Sequence, residues 1–289
     1  DYVVRRIHYS MAIQLLASEE VWSFMPLREG IIMSDLDYLA EDISNWILKY
    51  AEQNNISTLV VGVSGGIDSA VTSTLCAKTG INTIVINMPI NQAVSQYDLS
   101  NQHIEWLTSK WSNVESHIID LTETYEVFHS KLNDFNVSEL SMANTRARLR
   151  MATLYALAGS NNGIVVGTGN KVEDFGVGFF TKYGDGGVDI SPIADLYKSE
   201  VYSLAESLQI IQSIQDAPPT DGLWSDGRTD EDQIGATYEE LEWAMNEIEN
   251  PLPEKMQNER LAEVMRIYLK FNRMNSHKMK PIPIFKFNR

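Results

Sequence analysis

Ser64, Gly65, Gly66, Asp68 and Ser69 lie within GVSGGIDSA, residues 62–70. This stretch follows the apolar run Leu59-Val60-Val61 and precedes a segment with helical spacing, Val71, Leu75, Lys78. Glycine at 65 and 66 lets the backbone approach a ligand and turn successive N–H groups inward, while the following helix directs its positive end at the same spot. Together they make a phosphate cradle, to which Ser64 and Ser69 add hydroxyl donors. Asp68 is out of place beside a phosphate, because a carboxylate there is repelled unless a cation bridges the two; it therefore implies Mg²⁺. The other account of the same residues is a tight Ser-Gly-Gly turn with Asp68 merely capping a helix. The lysine-containing pattern G-x-x-x-x-G-K-[ST] is absent, which argues against transfer of a γ-phosphate.

These residues need elements to hold them, and hydrophobic spacing supplies a series. A helix is expected over 34–53, with Leu36, Leu39, Ile43, Ile47 and Tyr50 on one face and Ser34 as N-cap. A strand at 57–63, a helix at 68–79, a strand at 82–88 and a helix near 96–111 follow. Then come a strand near 115–119, a long helix near 142–159 and a strand at 163–167. Such alternation gives right-handed crossovers and an α/β fold with an open parallel sheet covered by helices on both faces. Ligands bind such sheets outside the carboxyl ends of the strands, and two of these ends are polar and glycine-rich: GVSGGIDSA, and GTGNKVED after the strand at 163–167. Residues 212–237 carry Pro, Gly, Asp and Thr without a period and read as a long mobile loop. Residues 1–33 hold no catalytic motif and at most a short helix near 11–17.

The 289 residues, 44% of them hydrophobic, suffice for one sizeable core. No apolar run reaches the length of a membrane span, and the first residues lack the pattern of a signal peptide. The single cysteine, Cys76, falls on the apolar stripe of the helix after the loop, which points to a reducing, cytoplasmic compartment. A formal net charge of −16 opposes nucleic acid or an anionic membrane as partner. The acidity is uneven: residues 142–200 carry six basic and six acidic side chains, and 264–289 carry seven basic and none acidic. Two such islands suit local anion sites for a small ligand.

S-G-G-I-D-S resembles the pyrophosphate loop of the ATP-pyrophosphatase superfamily. The run from Ala147 to Leu204, above all FFTKYGDGG with Asp189, Pro192, Leu196 and Lys198, is similar to ammonia-dependent NAD synthetases. So are PPTDGLW at 218–224, TDEDQIGATYEEL at 229–241 and SHKMKPIP at 276–283, so that the resemblance spans roughly 34–289 and leaves 1–33 as an extension. It implies an adenine nucleotide α-hydrolase-like fold, a homodimer, and amidation of deamido-NAD by free ammonia at the expense of ATP. Residue by residue, it implies that Gly62, Val63, Ser64, Gly65, Gly66, Ile67, Asp68 and Ser69 form the ATP phosphate loop. Thr168, Lys198 and Thr220 would also contact ATP, and Asp68 and Glu173 would ligate magnesium. Arg148, Lys182, Asp189, His277 and Lys278 would bind deamido-NAD. Several family members read T-D-H-x-x-E where this chain has Thr168-Gly169-Asn170-Lys171-Val172-Glu173. One more residue separates Glu173 from Phe179 here, so contacts made by 169–172 do not carry over.

Chemistry gives these assignments independent sense. Making an amide from a carboxylate requires a leaving group better than oxide, which AMP supplies once the carboxylate attacks the α-phosphorus. The site must neutralise phosphate charge, a task for Mg²⁺, Lys198 and the loop amides. Asp189, in GDGGVD, could hold ammonium and help deprotonate it. Taken singly, Arg146, Arg148 and Arg150 read as a solvated charge run, Lys182 and Lys198 as surface lysines, and His277 as a tail residue. Asp230, Glu231 and Asp232 read as acids that solvate a loop, and Trp224 as a residue that covers ligand. Two other classes fit the loop alone. One is another enzyme of the superfamily: a synthetase that aminates a nucleotide, or a tRNA-thiolating enzyme, which needs catalytic cysteines and a basic face and is opposed by one buried-type cysteine and a net charge of −16. The other, a non-catalytic nucleotide sensor, has little need of both Asp68 and Glu173.

Overall fold

Alternation of side chains along the inner strands sets the layering. The computed structural model describes residues 33–220, 229–249, 251 and 258–287. Four parallel strands, β1 (Thr58–Gly62), β2 (Asn82–Asn87), β3 (Val114–Ile118) and β4 (Gly163–Val165), form one sheet in the order β3-β2-β1-β4. Leu59, Val61, Ile164 and Val166 point to one face, against α1 (Met33–Gln53), α2 (Ile67–Lys78) and α6 (Lys198–Ser207) through Ile47, Leu75 and Leu204. Val85 joins the same side with Ile104 and Leu107 of α3 (Val94–Lys110). Val60, Ile84, Ile86 and Val165 point to the other face, against Tyr125 of α4 (Thr122–Ser130) and Met142 and Ala158 of α5 (Glu139–Ser160). Strands covered on both faces read as continuous apolar runs, and each such side chain contributes about 1.5–3 kcal/mol on burial. A charge at Val60, which is wholly buried, would break the sheet's centre.

The expected elements are present within a few residues, with three differences. Helix α1 begins at Met33, so Ser34 lies in its first turn rather than at the cap. Helix α4 was not expected: it is nine residues long and buries only Tyr125, too little to give a period. The segment 212–237 is helical at both described ends, in α7 (Gln212–Gln215) and α8 (Asp230–Ile234). Thr229 caps α8 by accepting from Asp232 N at 3.1 Å, and Gly235 ends it at φ +87°. The middle of that segment, with Trp224, lies outside the described residues, as do the expected helix near 11–17 and the rest of 1–32.

C-terminal to the sheet, α9 (Tyr238–Glu249) and α10 (Glu259–Met279) enclose a π-helical turn at Lys171–Val177 around Val172, Val177, Leu241, Ala244, Val264 and Tyr268. Among the described residues no helix is long and apolar enough to cross a membrane. The strand order reverses between β1 and β4, so the crevice for a ligand opens where their carboxyl ends diverge.

Candidate active site

The loop after β1 is built from its own side chains. Gly65 takes φ +90°, and a Cβ there would come 2.7 Å from Gln96 O, so only glycine fits. Ser64 N donates to Ser69 Oγ at 3.2 Å, Ser69 Oγ donates to Gly66 O at 2.8 Å, and Gly66 N donates to Ser64 Oγ at 3.2 Å. Val63 N extends the ladder to Ile86 O at 2.9 Å, and Gly62 packs against Met88 and Leu154. Gly66 is the N-cap of α2 and no side chain caps it, which leaves that helix's positive end facing the crevice.

Asp68, in the first turn of α2, meets two residues from elsewhere in the chain. Lys198 Nζ donates to Asp68 Oδ2 at 2.6 Å and to Glu173 Oε1 at 3.0 Å. Asn170, with no exposed surface, completes the join: Nδ2 donates to Asp68 Oδ1 at 3.0 Å, and Oδ1 accepts from the amides of Val172 and Glu173 at 3.1 and 3.0 Å. It therefore caps the π-helical turn and bonds Asp68 at once. Tyr238 Oη donates to Glu173 Oε1 at 2.6 Å, and the Tyr238 ring lies 4.7 Å from the Lys198 nitrogen. Burial alone would lower the Lys198 pKa, but the charges of Asp68 and Glu173 hold it above the ordinary lysine range. Burial drives Asp68 upward more than Lys198 lowers it. Burial acts the same way on Glu173, yet Lys198 and Tyr238 hold that carboxyl below its usual range.

Two carboxylates whose oxygens already share one cation suit a small divalent ion. Magnesium uses one or two protein carboxylates and completes its shell with phosphates and water. Among the described residues no group of three or more His, Cys, Asp or Glu could hold a metal, so a site here would need substrate oxygens.

Of the second set of expected residues, Lys182 and Lys278 line a cleft of about 290 Å³, with Asp174, Phe180, Tyr183 and Val188 among others. Arg148 Nε donates to Lys182 O at 3.3 Å, Lys182 Nζ donates to His277 O at 2.8 Å, and Lys278 Nζ donates to Gly178 O and Phe180 O, both at 2.6 Å. Hydrogen bonds thus tie Arg148 and His277 to Lys182, with Lys278 next in sequence to His277. Asp174 stands between the two sets. Burial first, then the charges of Glu173, Asp185 and Asp68, push its carboxyl up to about 8. Its oxygens fill the space in front of Gly169, where any Cβ would collide with them. Asp189 is bound to the sheet instead: its carboxylate accepts from Tyr155 Oη at 3.0 Å and Val165 N at 2.8 Å. Thr168 lies half-buried just past β4, and Thr220 is half-buried at the edge of the described segment. A larger groove, about 380 Å³, opens between the ends of α1, α2, α3 and α6 and contains none of the expected residues.

Several side chains depart from their sequence reading. Of Arg146, Arg148 and Arg150, only Arg148 is exposed as a solvated run requires. Arg146 stacks 5.2 Å over Tyr125, and Arg150 Nε donates to Met88 O at 2.9 Å, at the carboxyl end of β2. Asp230 is 7% exposed and accepts from Tyr238 Oη at 3.3 Å, while Glu231 Oε1 accepts from Tyr238 N at 2.9 Å. Neither acid merely solvates a loop. Asn170, Arg150 and Tyr238 had no motif of their own. The one sequence signal was their placement, beside Glu173, beside Arg148 and within TDEDQIGATYEEL.

Comparisons with known proteins bear on the family and the fold. The sequence model of the NAD synthase family matches residues 39–282. An NH(3)-dependent NAD(+) synthetase from Finegoldia magna is 38% identical over 205 residues, covering 71% of this chain and 82% of that relative. The structure of NMN synthetase from Francisella tularensis superposes with a TM-score of 0.77 at 32% identity, covering 87% of this chain and 99% of that one. NH3-dependent NAD synthetase from Campylobacter jejuni superposes at 0.70 with 25% identity, covering 87% of this chain and all of the other.

Proposed function

The chain belongs to the NAD synthase family, and on that premise we propose that the Asp68, Lys198 and Glu173 centre is where ATP activates the carboxylate of deamido-NAD. The reaction is the ATP-dependent amidation of deamido-NAD with ammonia to NAD. One observation carries the site: a lysine and two carboxylates from three separate segments converge beside the phosphate loop, within hydrogen-bond distance of one another.

In the first half-reaction a carboxylate oxygen bonds to the α-phosphorus and the bond to the β-phosphate oxygen breaks, releasing pyrophosphate. In the second, ammonia nitrogen bonds to the acyl carbon, the bond to AMP breaks with its electron pair, and nitrogen loses a proton. Gly62 to Ser69 would cradle the phosphates, with Thr168 and Thr220 as further ATP contacts. Lys198 would offset charge as it develops at the α-phosphorus. Asp68 and Glu173 would hold Mg²⁺, which when bound adds positive charge against the phosphate oxygens. Arg148, Lys182, His277 and Lys278 would receive the dinucleotide, a reading supported by the cleft that Lys182 and Lys278 line and by the hydrogen bonds that tie Arg148 and His277 to Lys182. Asp189 keeps the ammonium role on its remaining lone pairs, and its bonds to Tyr155 and Val165 fix where it can act.

Residues 34–289 form the synthetase unit in this reading. A homodimer is supported by the apolar side chains Ile118, Val127, Phe128, Phe135 and Leu140, all exposed along one stretch at and after edge strand β3. Light scattering that gives a fully active monomer at nanomolar concentration would remove it. A cytoplasmic location rests on the single buried thiol of Cys76.

A second reading has its own observation, the neighbour named for making NMN. The same chemistry on the carboxylate of nicotinate mononucleotide would yield that product. The test is one assay with ATP, Mg²⁺ and ammonium, offering either the mononucleotide or deamido-NAD, with AMP, pyrophosphate and amide measured. Higher kcat/KM for deamido-NAD supports the first reading, and the reverse order overturns it.

A further inference from the structure

The face of α9 turned toward α6 carries Tyr238, Glu242 and Asn246, spaced i, i+4, i+8 and so lying in one row. Each reaches a residue at or beside Lys198. Glu242 is 1% exposed; its Oε1 accepts from Ser199 N at 2.9 Å and its Oε2 from Ser199 Oγ at 2.7 Å. Asn246 Oδ1 accepts from Tyr197 Oη at 3.1 Å. Tyr238 sets its ring beside the Lys198 nitrogen and its hydroxyl on Glu173. The neighbours of Lys198 on either side are therefore both gripped by α9, and so is the carboxylate that Lys198 shares with Asp68.

The start of α6 explains why an outside helix is needed. Tyr197 is its N-cap residue, and a phenol cannot fold back onto the first amides as Ser or Asp does. Glu200 Oε2 takes Tyr197 N at 2.7 Å, and Glu242 takes Ser199 N from across the gap. A carboxylate buried this deeply is costly unless charge-assisted hydrogen bonds and the positive helix end compensate. The packing of α9 on α10 uses Leu241, Ala244, Trp243 and the ring of Tyr238, and includes neither Glu242 nor Asn246.

We infer that Tyr238, Glu242 and Asn246 are positioning residues: the row sets the height and direction of Lys198 through Ser199 and Tyr197, and the rotamer of Glu173 through the Tyr238 hydroxyl. The inference rests on the proposed role of the Asp68, Lys198 and Glu173 centre. It also links that centre to α8, because Tyr238 contacts Asp230 and Glu231.

The test uses the full chain with Tyr238→Phe, Glu242→Gln and Glu242→Ala. Phe keeps the ring and loses only the hydroxyl. Gln keeps an acceptor for Ser199 N and can donate to Ser199 Oγ; Ala keeps neither. Expected are about 10–100-fold losses of kcat in Tyr238→Phe and Glu242→Ala with KM for deamido-NAD within about twofold, and recovery to within about fivefold of wild type in Glu242→Gln. A readout independent of turnover is Mn²⁺ affinity in the presence of a non-hydrolysable ATP analogue, followed by electron paramagnetic resonance. It should weaken about tenfold in Tyr238→Phe. Wild-type kcat and Mn²⁺ affinity in Tyr238→Phe, or equal losses in Glu242→Gln and Glu242→Ala, would overturn the inference. Should Glu242→Ala fail to fold, Tyr238→Phe and Glu242→Gln decide it. Failure of the wild-type protein itself to form NAD would count against the proposed function, and the Mn²⁺ comparison would still report on the row.

Discussion

Lys198 and Asp68 are 130 residues apart in sequence and 2.6 Å apart in space, nitrogen to oxygen, with Glu173 closing the triangle from the other side. The lysine is 3% exposed, so the two carboxylates hold it as a fixed internal cation. Asp68→Asn and Glu173→Gln each remove one negative oxygen while preserving shape, and each leaves Lys198 one charged partner. Both variants should fold with unchanged circular dichroism and lose about 100-fold or more in kcat, the scale of losing one electrostatic stabiliser. Near-normal turnover in either would free that residue of its proposed role.

Lys198→Met tests the same triangle from the opposite corner. It leaves two partly buried carboxylates facing each other without a cation, which costs at most about 3–5 kcal/mol, the range for a fully buried pair broken on one side. The melting temperature should fall by several degrees. Millimolar Mg²⁺ should recover part of that fall in the variant and do little for wild type. No magnesium response in thermal unfolding would separate these carboxylates from metal binding.

Gly169 and Asp174 are expected to be coupled. The Asp174 carboxyl occupies the space a 169 side chain would use, so Gly169→Ala should cost about 1–3 kcal/mol of overpacking. In an Asp174→Ala background the same substitution should cost almost nothing. Urea unfolding of the four proteins gives the coupling directly, and additive losses would contradict it.

His103 gives a stability change in mild acid. It is fully buried, its Nε2 lies 3.0 Å from Ser73 Oγ, and burial lowers its pKa to about 4. The folded state therefore binds fewer protons than the unfolded state between the unfolded value near 6.5 and about 4. The stability that neutral His103 contributes is complete above 6.5 and declines as pH falls through that window. His103→Gln should flatten the pH dependence of the melting temperature between pH 7 and 4. An identical slope in both proteins would show that His103 is not the group responsible.

The parallel sheet was legible because doubly covered strands are short apolar runs, and Leu59-Val60-Val61 is such a run. The phosphate loop was legible because Gly65 meets a geometric demand that shows as composition. Helix α4 was not, since a single buried Tyr125 makes no period. Asn170, Arg150 and Tyr238 were hidden for another reason: each acts through a partner more than 60 positions away, Asp68, Met88 or Glu173. No local pattern records such a pairing. Arg146 and Arg150 escape a sequence reading because alternation on a helix looks like solvation until the partners are known, whereas Arg148 is exposed as that reading has it.

The π-helical turn at Lys171–Val177 bears on how this chain is lined up with its relatives. A turn with one residue more than the α-helical count takes up an insertion locally, leaving both of its ends in place. By sequence, one more residue separates Glu173 from Phe179 than in the family this chain resembles, and a π-helical turn is where the backbone would take up such a residue while Glu173 stays on Lys198 and Phe179 stays against the core of α9 and α10. On that count, a role carried to Asp174 or Phe175 by column alone would fall one side chain off.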